Sequence, residues 1–334
     1  SCLIVVDSKF CCLIILIVRI YTMTEKIAIL LPAYNEEITI QKVISDFKRV
    51  LPEADIYVYD NNSKDRTNEL ARQAGAIVRF ESRQGKGNVV RSMFREINAD
   101  YYIMVDADDT YPADEVQKLL DPLRSGKADM TIGDRLSNGT YAEENKRGFH
   151  GFGNNLVRLL VNHLYQGNYQ DIMTGYRGFN RLFVKNFPVL SSGFEIETEL
   201  SIHSLDKRFK LVEVPITYHD RPEGSESKLN TFSDGFKVLC MIFNLFKDYK
   251  PLIFFSLVTL FFFILGLIVG VPVVTEFAET GFIDKMPSAI LATGFMILAA
   301  LSFVLGFILD TIVRQNRMQY ELKIYDYYER NGRK

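Results

Sequence analysis

Short apolar runs and amphipathic stretches alternate along residues 26–133. The apolar runs are KIAILL, DIYVY, AIVRF, YYIMV and DMTIG, and each reads as a strand. Helical periodicity falls between them, at about 37–49, 66–74, 88–97 and 114–124. Strand–helix alternation predicts an α/β fold: a mostly parallel sheet with helices on both faces. Ligands of such sheets collect beyond the carboxyl ends of the strands. The polar clusters fall there: PAYNEE, DNNSKD, ESRQGKGN, DADDTYP and DRLSNG follow the five strands in turn. Residues 134–150 then read as a long polar loop. Amphipathic helices are predicted at 151–165 and 234–249, and the second carries Phe236, Ile242, Phe243 and Phe246 on a broad apolar surface.

The pattern changes at residue 251. PLIFFSLVTLFFFILGLIVGVPVV (251–274) and PSAILATGFMILAALSFVLGFIL (287–309) contain no charged residue. A helix needs about 20 apolar residues to cross a bilayer core, and both runs reach that length. Lys247 and Lys250 precede the first run; Arg314, Arg317 and Lys323 follow the second. Positive residues favour the cytoplasmic side. The bulk of the chain and its C-terminal tail are therefore expected on the cytoplasmic face of the cytoplasmic membrane. The amphipathic helix at 232–250 is expected to lie on the bilayer. FCCLIILIV (10–18) is too short to span, and Met23 opens a stretch that reads like a natural start. Residues 1–22 are therefore set aside as a non-native or upstream extension, with a third membrane-associated segment as the alternative. The resulting division is 23–231 catalytic, 232–250 interfacial, 251–313 transmembrane and 314–334 tail.

Charge and composition remove some function classes. A formal net charge of −2 gives no nucleic-acid footprint. The four cysteines show neither metal spacing nor a disulfide framework. No Walker motif occurs, and no G-x-G-x-x-G follows the first strand, which disfavours an NTPase or a dinucleotide oxidoreductase.

The candidate chemistry centres on Asp106 and Asp108, two residues apart at a strand end. Two carboxylates so placed cannot both stay ionised cheaply without a cation. Mg²⁺ or Mn²⁺ suits them, because one or two carboxylates plus substrate phosphates complete an oxygen shell. Asp109 and Asp114 read instead as helix-entry acids, and Asp109 or Thr110 as a helix cap. Lys86, between Gly85 and Gly87, offers a cation and backbone N–H groups to phosphate, although Gly-Lys-Gly is also an ordinary flexible turn.

Taken in order, LLPAYNEE, YDNNSKDRT, GKGNVVR, VDADDTYP, DIMTGYRGFNR, GFEIETEL and EVPITYHDRPEGSESK resemble the successive motifs of family 2 glycosyltransferases. Within that family they are most similar to the dolichyl-phosphate and polyprenyl-phosphate sugar synthases, over about residues 26–231. The two apolar runs match the membrane-anchored bacterial members. The resemblance implies a GT-A (Rossmann-like) domain that binds a nucleoside-diphosphate sugar. It implies that Pro32, Tyr34 and Glu36 line the nucleotide site. Asp60 and Asn61 stand at the paired acids that hold base and ribose, Asn61 replacing the usual acid. Asp106 and Asp108 match the metal motif, and Thr110 stands where some members have a metal-binding Gln. Arg135, Arg147, Arg177, Arg221 and Lys228 match basic positions near the acceptor phosphate or the leaving diphosphate. Glu197 matches an acidic position that orients donor or basic side chains; a surface acid is the alternative reading.

The implied reaction is inverting transfer of a hexose (glucose, N-acetylglucosamine or mannose) to undecaprenyl or dolichyl phosphate. GKGNVVR leans toward a UDP-sugar over GDP-mannose, and a homo-oligomer is compatible with the sequence. Two rivals stand beside this reading. One is a silent membrane-bound nucleotide-sugar sensor on the same fold. The other is a processive polysaccharide synthase, disfavoured because the chain lacks tryptophan and so the Gln-x-x-Arg-Trp motif of that class.

Overall fold

The computed structural model describes residues 25–137, 158–163, 167, 169–222, 224, 236, 240, 242–244 and 246–331. The extension 1–22, Arg147, Lys228 and most of the 134–165 and 225–241 segments lie outside them. Two compact units result. The first comprises Ser1–Arg158 and Asn168–Asn230, the second Leu159–Gly167 and Thr231–Lys334.

All five predicted strands form: β1 (Ile27–Ala33), β2 (Asp55–Asp60), β3 (Ile77–Phe80), β4 (Tyr101–Met104) and β5 (Met130–Asp134). Between them lie α1 (Ile40–Val50), α2 (Thr67–Gln73), α3 (Lys86–Glu96) and α4 (Val116–Arg124). Four of these strands run parallel in the order β3-β2-β1-β4. The side-chain period of two in β1 sends Ile29 and Leu31 to one face and Ala28 and Leu30 to the other. On the first face α1 buries Ile40, Val43, Ile44 and Phe47, the i, i+3, i+4, i+7 stripe that makes it amphipathic. On the second face α3 buries Val89, Val90, Met93 and Phe94.

Two further strands were not foreseen. β6 (Arg177–Asn180) inserts antiparallel between β4 and β5, and β7 (Leu211–Pro215) pairs parallel with β5. The register sets Arg177 opposite both Met104 and Ile132. RGFN has an arginine and a glycine where a pattern reading seeks apolar residues, so its burial is set by its position in the sheet. After it come α5 (Arg181–Asn186), capped by Asn180 through the Phe183 N–H, and α6 (Ile196–Asp206). Every residue of α6 from Ile196 to Ser204 is buried, polar ones included, so it has no apolar stripe to read.

The acidic turn after β4 departs from expectation. Neither Asp109 nor Thr110 caps a helix. Pro112 precedes a short 3₁₀ turn, Ala113–Glu115, without a side-chain cap. Asp109 instead takes a left-handed conformation (φ 61°), one that Asp tolerates, and pairs with Lys42 at 2.7 Å. Asp114 does sit in the first turn and faces Arg49.

In the second unit the described residues of 236–249 are helical. Helices α7 (Pro251–Thr280) and α8 (Met286–Asn331) form a hairpin closed by Gly281 at φ 74°. Both are long and apolar enough to cross a membrane. Only 6% and 11% of their most apolar windows are buried, which a soluble core helix would not leave. Close packing within the hairpin rests on small residues: a side-chain carbon at Gly306 would meet the Phe255 Cβ at 2.7 Å. The expected tail is continuous helix: α8 has 46 residues, about 69 Å, so its polar second half prolongs the apolar rod.

Candidate active site

The carboxyl ends of β1, β2 and β4 present their loops at one edge of the sheet, tied to each other through backbone and short polar side chains. After β1, Asn35 (φ 53°) donates its N–H to Ser63 Oγ, and its Oδ1 accepts from the Lys64 N–H. Glu36 N–H donates to Thr67 Oγ1. Thr39 Oγ1 donates to the Ala107 carbonyl at 2.6 Å, fastening this loop to the acidic one. Pro32 stands beside Tyr59 at the end of the β1–β2 ladder, with Tyr34 half-buried beyond it.

Asp108 is buried. It accepts from Thr110 Oγ1 at 2.7 Å and pairs with Arg221 Nη2 at 2.5 Å. Thr110 thus supports Asp108 from behind. Burial, then the neighbouring Asp106 charge, pushes the Asp108 carboxyl above its ordinary range, while Arg221 and the Thr110 hydrogen bonds pull it back. Asp106 is more open, at 27% side-chain exposure, and pairs with Lys86. Gly175 makes room for it: a Cβ there would collide with the Asp106 carboxylate.

Lys86 opens α3 and is enclosed between Asp106 and Glu197, the latter at 2.5 Å. Burial opposes its charge, but the two carboxylates outweigh this and raise its pKa. Its loop is built for close approach. Gly85 has φ 125°, and a Cβ at Gly85 or Gly87 would strike the backbone of Ser192 or Ser191. Glu199 anchors that opposing strand of chain through the Leu190 and Ser191 N–H groups. Glu197 is buried, which sets aside its reading as a surface acid.

Two expected ligand contacts are corrected. Arg177 is 0% exposed and donates to the Thr174 and Ile172 carbonyls and to Ser201 Oγ. It knits the 172–177 turn to α6, out of reach of any phosphate. Burial lowers its pKa to about 10, partly offset by Glu197 and Asp171. Asn61 is turned inward as well. Its Nδ2 donates to the Glu81 and Arg83 carbonyls, and its Oδ1 accepts from Gly85 N–H and Gln84 Nε2. An acid could not donate to two carbonyls, so the replacement is explained by the loop that leads to Lys86. Asp60 likewise accepts from the Ser63 N–H and Asn68 Nδ2.

Arg135 lies nearer the site but is largely committed. It forms a two-pronged pair with Asp171 at 2.7 and 3.0 Å and lies over the Tyr218 ring. Its Nη1 donates to Tyr111 Oη, which also accepts from the Gly175 N–H. Burial pushes the Tyr111 hydroxyl up to about 12. Tyr111, Asp171, Thr174 and Gly175 were not singled out from the sequence; they act through the antiparallel insertion that the pattern did not reveal. A cavity of about 280 Å³ lies behind Asp109, walled by Lys42, Asp46, Pro112 and His219, and none of Lys86, Asp106, Asp108 or Arg221 lines it.

Asp106 and Asp108 could hold a divalent ion only together with oxygens of a ligand: among the described residues no group of three or more His, Cys, Asp or Glu could enclose a metal by protein groups alone.

Comparisons with known proteins identify the family of the chain. The profile of "Glycosyl transferase family 2" matches residues 28–187. Glycosyltransferase AglJ of Haloferax volcanii is 36% identical over 236 residues, 70% of this chain and 76% of that one. The chain therefore belongs to glycosyl transferase family 2 and is a glycosyltransferase. A dolichyl-phosphate hexose transferase of the same organism is 31% identical over 211 residues, 63% of this chain and 90% of that one. Among solved structures, glucosyl-3-phosphoglycerate synthase of Mycobacterium tuberculosis, crystallised with Mn²⁺, UDP-glucose and phosphoglyceric acid, superposes with a TM-score of 0.53. It is 21% identical and covers 66% of this chain and 79% of its own. At that identity the likeness carries the fold.

Proposed function

We propose that the protein transfers a hexose, with inversion, from a UDP-sugar to a polyprenyl phosphate at the cytoplasmic face of a membrane. The observation that carries this reading is the Asp106–Asp108 pair at the carboxyl edge of the sheet, in a chain that also has two membrane-length apolar helices. The dolichyl-phosphate hexose transferase similarity supports the lipid acceptor. The lysines before α7 and the basic residues in the second half of α8 support the orientation.

Asp106 and Asp108 would hold Mg²⁺ or Mn²⁺, which when bound neutralises charge on the leaving nucleoside diphosphate. Pro32, Tyr34 and Glu36 border the nucleotide. Lys86 and Arg221 stand beside the acid pair, where they stabilise phosphate charge. An oxygen of the acceptor phosphate forms the new bond to the anomeric carbon as the bond from that carbon to the diphosphate oxygen breaks; the electron pair leaves with the nucleoside diphosphate. The acceptor oxygen is already ionised near neutral pH, so no general base is needed. Holding the two phosphates together is the main task. Arg147 and Lys228 are assigned by resemblance to the acceptor phosphate or the leaving diphosphate.

The test is purified full-length protein in detergent with UDP-glucose, UDP-N-acetylglucosamine or GDP-mannose, Mn²⁺, and undecaprenyl or dolichyl phosphate. Mass spectrometry should find a lipid-phosphate-linked hexose. Transfer only to a soluble acceptor such as phosphoglyceric acid, or hydrolysis alone, would overturn the lipid assignment. Asp108→Asn should lower turnover at least tenfold, about 1.4 kcal/mol of barrier. An unchanged rate would remove the metal assignment.

A further inference from the structure

Four carboxylates and two cations alternate at the site. Lys86 bridges Asp106 and Glu197. Arg221 bridges Asp108 at 2.5 Å and Glu36 at 3.8 Å. Each cation is thus shared between one member of the acid pair and one carboxylate outside it. Over these six side chains four acids against two cations leave a formal −2, which the +2 of one divalent ion would offset. Three of the four carboxylates are enclosed: Asp108, Glu197 and Glu36 expose 6%, 7% and 9% of their side chains, against 27% for Asp106.

We infer that Lys86 and Arg221 are resident counter-ions of the Asp106–Asp108 pair, exchanged for a divalent metal, and that Glu197 and Glu36 retain them during the exchange. A buried lysine stripped of its only carboxylate would be strongly destabilised. Here Lys86 gives up Asp106 and stays on Glu197, while Arg221 gives up Asp108 and stays on Glu36. Both cations then remain at the mouth, freed from the acid pair and ready for phosphate oxygens. Glu197 and Glu36 are positioning residues in this scheme. The metal must compete with two internal cations, so it binds weakly alone and more tightly with a nucleoside diphosphate that draws those cations toward itself. The inference rests on the metal-dependent reading above.

The test is Mn²⁺ titration of the full-length protein in detergent, without nucleotide, followed by the electron paramagnetic resonance signal of free Mn²⁺. Arg221→Met and Lys86→Met should each tighten Mn²⁺ binding by roughly fivefold or more, because a competing positive charge is gone. Glu36→Gln and Glu197→Gln should each weaken it, because the surplus negative charge falls and the cation settles on the acid pair. Residues in direct contact would then shift affinity in opposite directions, whereas mere damage to the site weakens binding in all four variants. Lys86→Met combined with Glu197→Gln restores the charge count and should return close to wild type; it also serves if Lys86→Met alone does not fold. Unchanged or weaker Mn²⁺ binding in Arg221→Met, with a normal melting curve, overturns the inference, as does a wild-type protein that binds no Mn²⁺ with or without UDP. Failure of lipid-phosphate transfer while Mn²⁺ affinities move as stated would sink the proposed function and leave this inference standing.

Discussion

Residues 25–134 and residues 170–216 divide the work of the site unequally. The first region carries groups proposed to face a ligand: Glu36, Lys86, Asp106 and Asp108, each on a loop beyond a parallel strand or at the helix start that follows. The second supplies what holds them. Gly175 clears space for Asp106, Glu197 fixes Lys86, Asp171 engages Arg135, and Arg177 locks the turn that carries Gly175. The lesson is that the paired carboxylates are a property of the strand ends, whereas their aim depends on an antiparallel strand threaded in later in the chain.

Arg177→Met tests this division most severely. Removing the guanidinium leaves the Ile172 and Thr174 carbonyls and Ser201 Oγ without their buried donor. Stability should fall by about 3 kcal/mol, measured by chemical denaturation of the detergent-solubilised protein. A variant of wild-type stability with raised KM for the lipid acceptor would instead make Arg177 a ligand contact and dissolve the distinction.

Gly175→Ala comes next. One added carbon displaces the Asp106 carboxylate while leaving every charged group present. Displacement on the order of 1 Å is enough for about a hundredfold loss of turnover. The expected result is that loss with a nearly unchanged melting temperature. Full activity would mean that the position of Asp106 is unimportant, and the second region would lose its role.

A third prediction concerns the packing behind the site. His203 on α6 lies among Phe183, Phe187 and Phe209. Burial, assisted by Lys207, lowers its pKa to about 3. The folded state therefore keeps the imidazole neutral while the unfolded chain protonates it near 6.5. Stability from this group is fully present above that value and is lost as pH falls from about 6.5 toward 3. Between pH 6.5 and 5 the loss should approach 2 kcal/mol. Denaturation midpoints at several pH values would show it, and His203→Phe should remove that part of the slope. An identical slope in the variant would place the titration elsewhere.

The same asymmetry explains what could be read from sequence. The five parallel strands and the acidic pair were legible because apolar runs end abruptly in acids, and that contrast is local. β6 was not, because RGFN owes its burial to two flanking strands more than 40 residues away in sequence on either pairing. α6 buries Glu197, Thr198, Glu199 and Ser201, so periodicity gave no sign of a central helix. Motif position alone makes ligand contacts of Arg177 and Asn61. A motif fixes which residues recur and leaves open whether a side chain faces the ligand or the loop behind it. Asn61 faces the loop because two carbonyls there require a donor.

The weakest expected effect lies on the acidic turn itself. Asp109 and Asp114 share a stretch with the acid pair, yet they pair with Lys42 and Arg49 on α1, away from Lys86 and Arg221. Asp114 is well exposed, and exposed pairs contribute little because solvent screens them. Asp114→Ala should therefore leave both melting temperature and turnover within error of wild type. Asp109→Asn should behave the same way, since asparagine also tolerates the left-handed conformation. Steady-state rates at saturating Mn²⁺ are the measurement. A tenfold loss in either variant would show that charge on the outer flank reaches the metal pair, and the site would have to be redrawn to include α1.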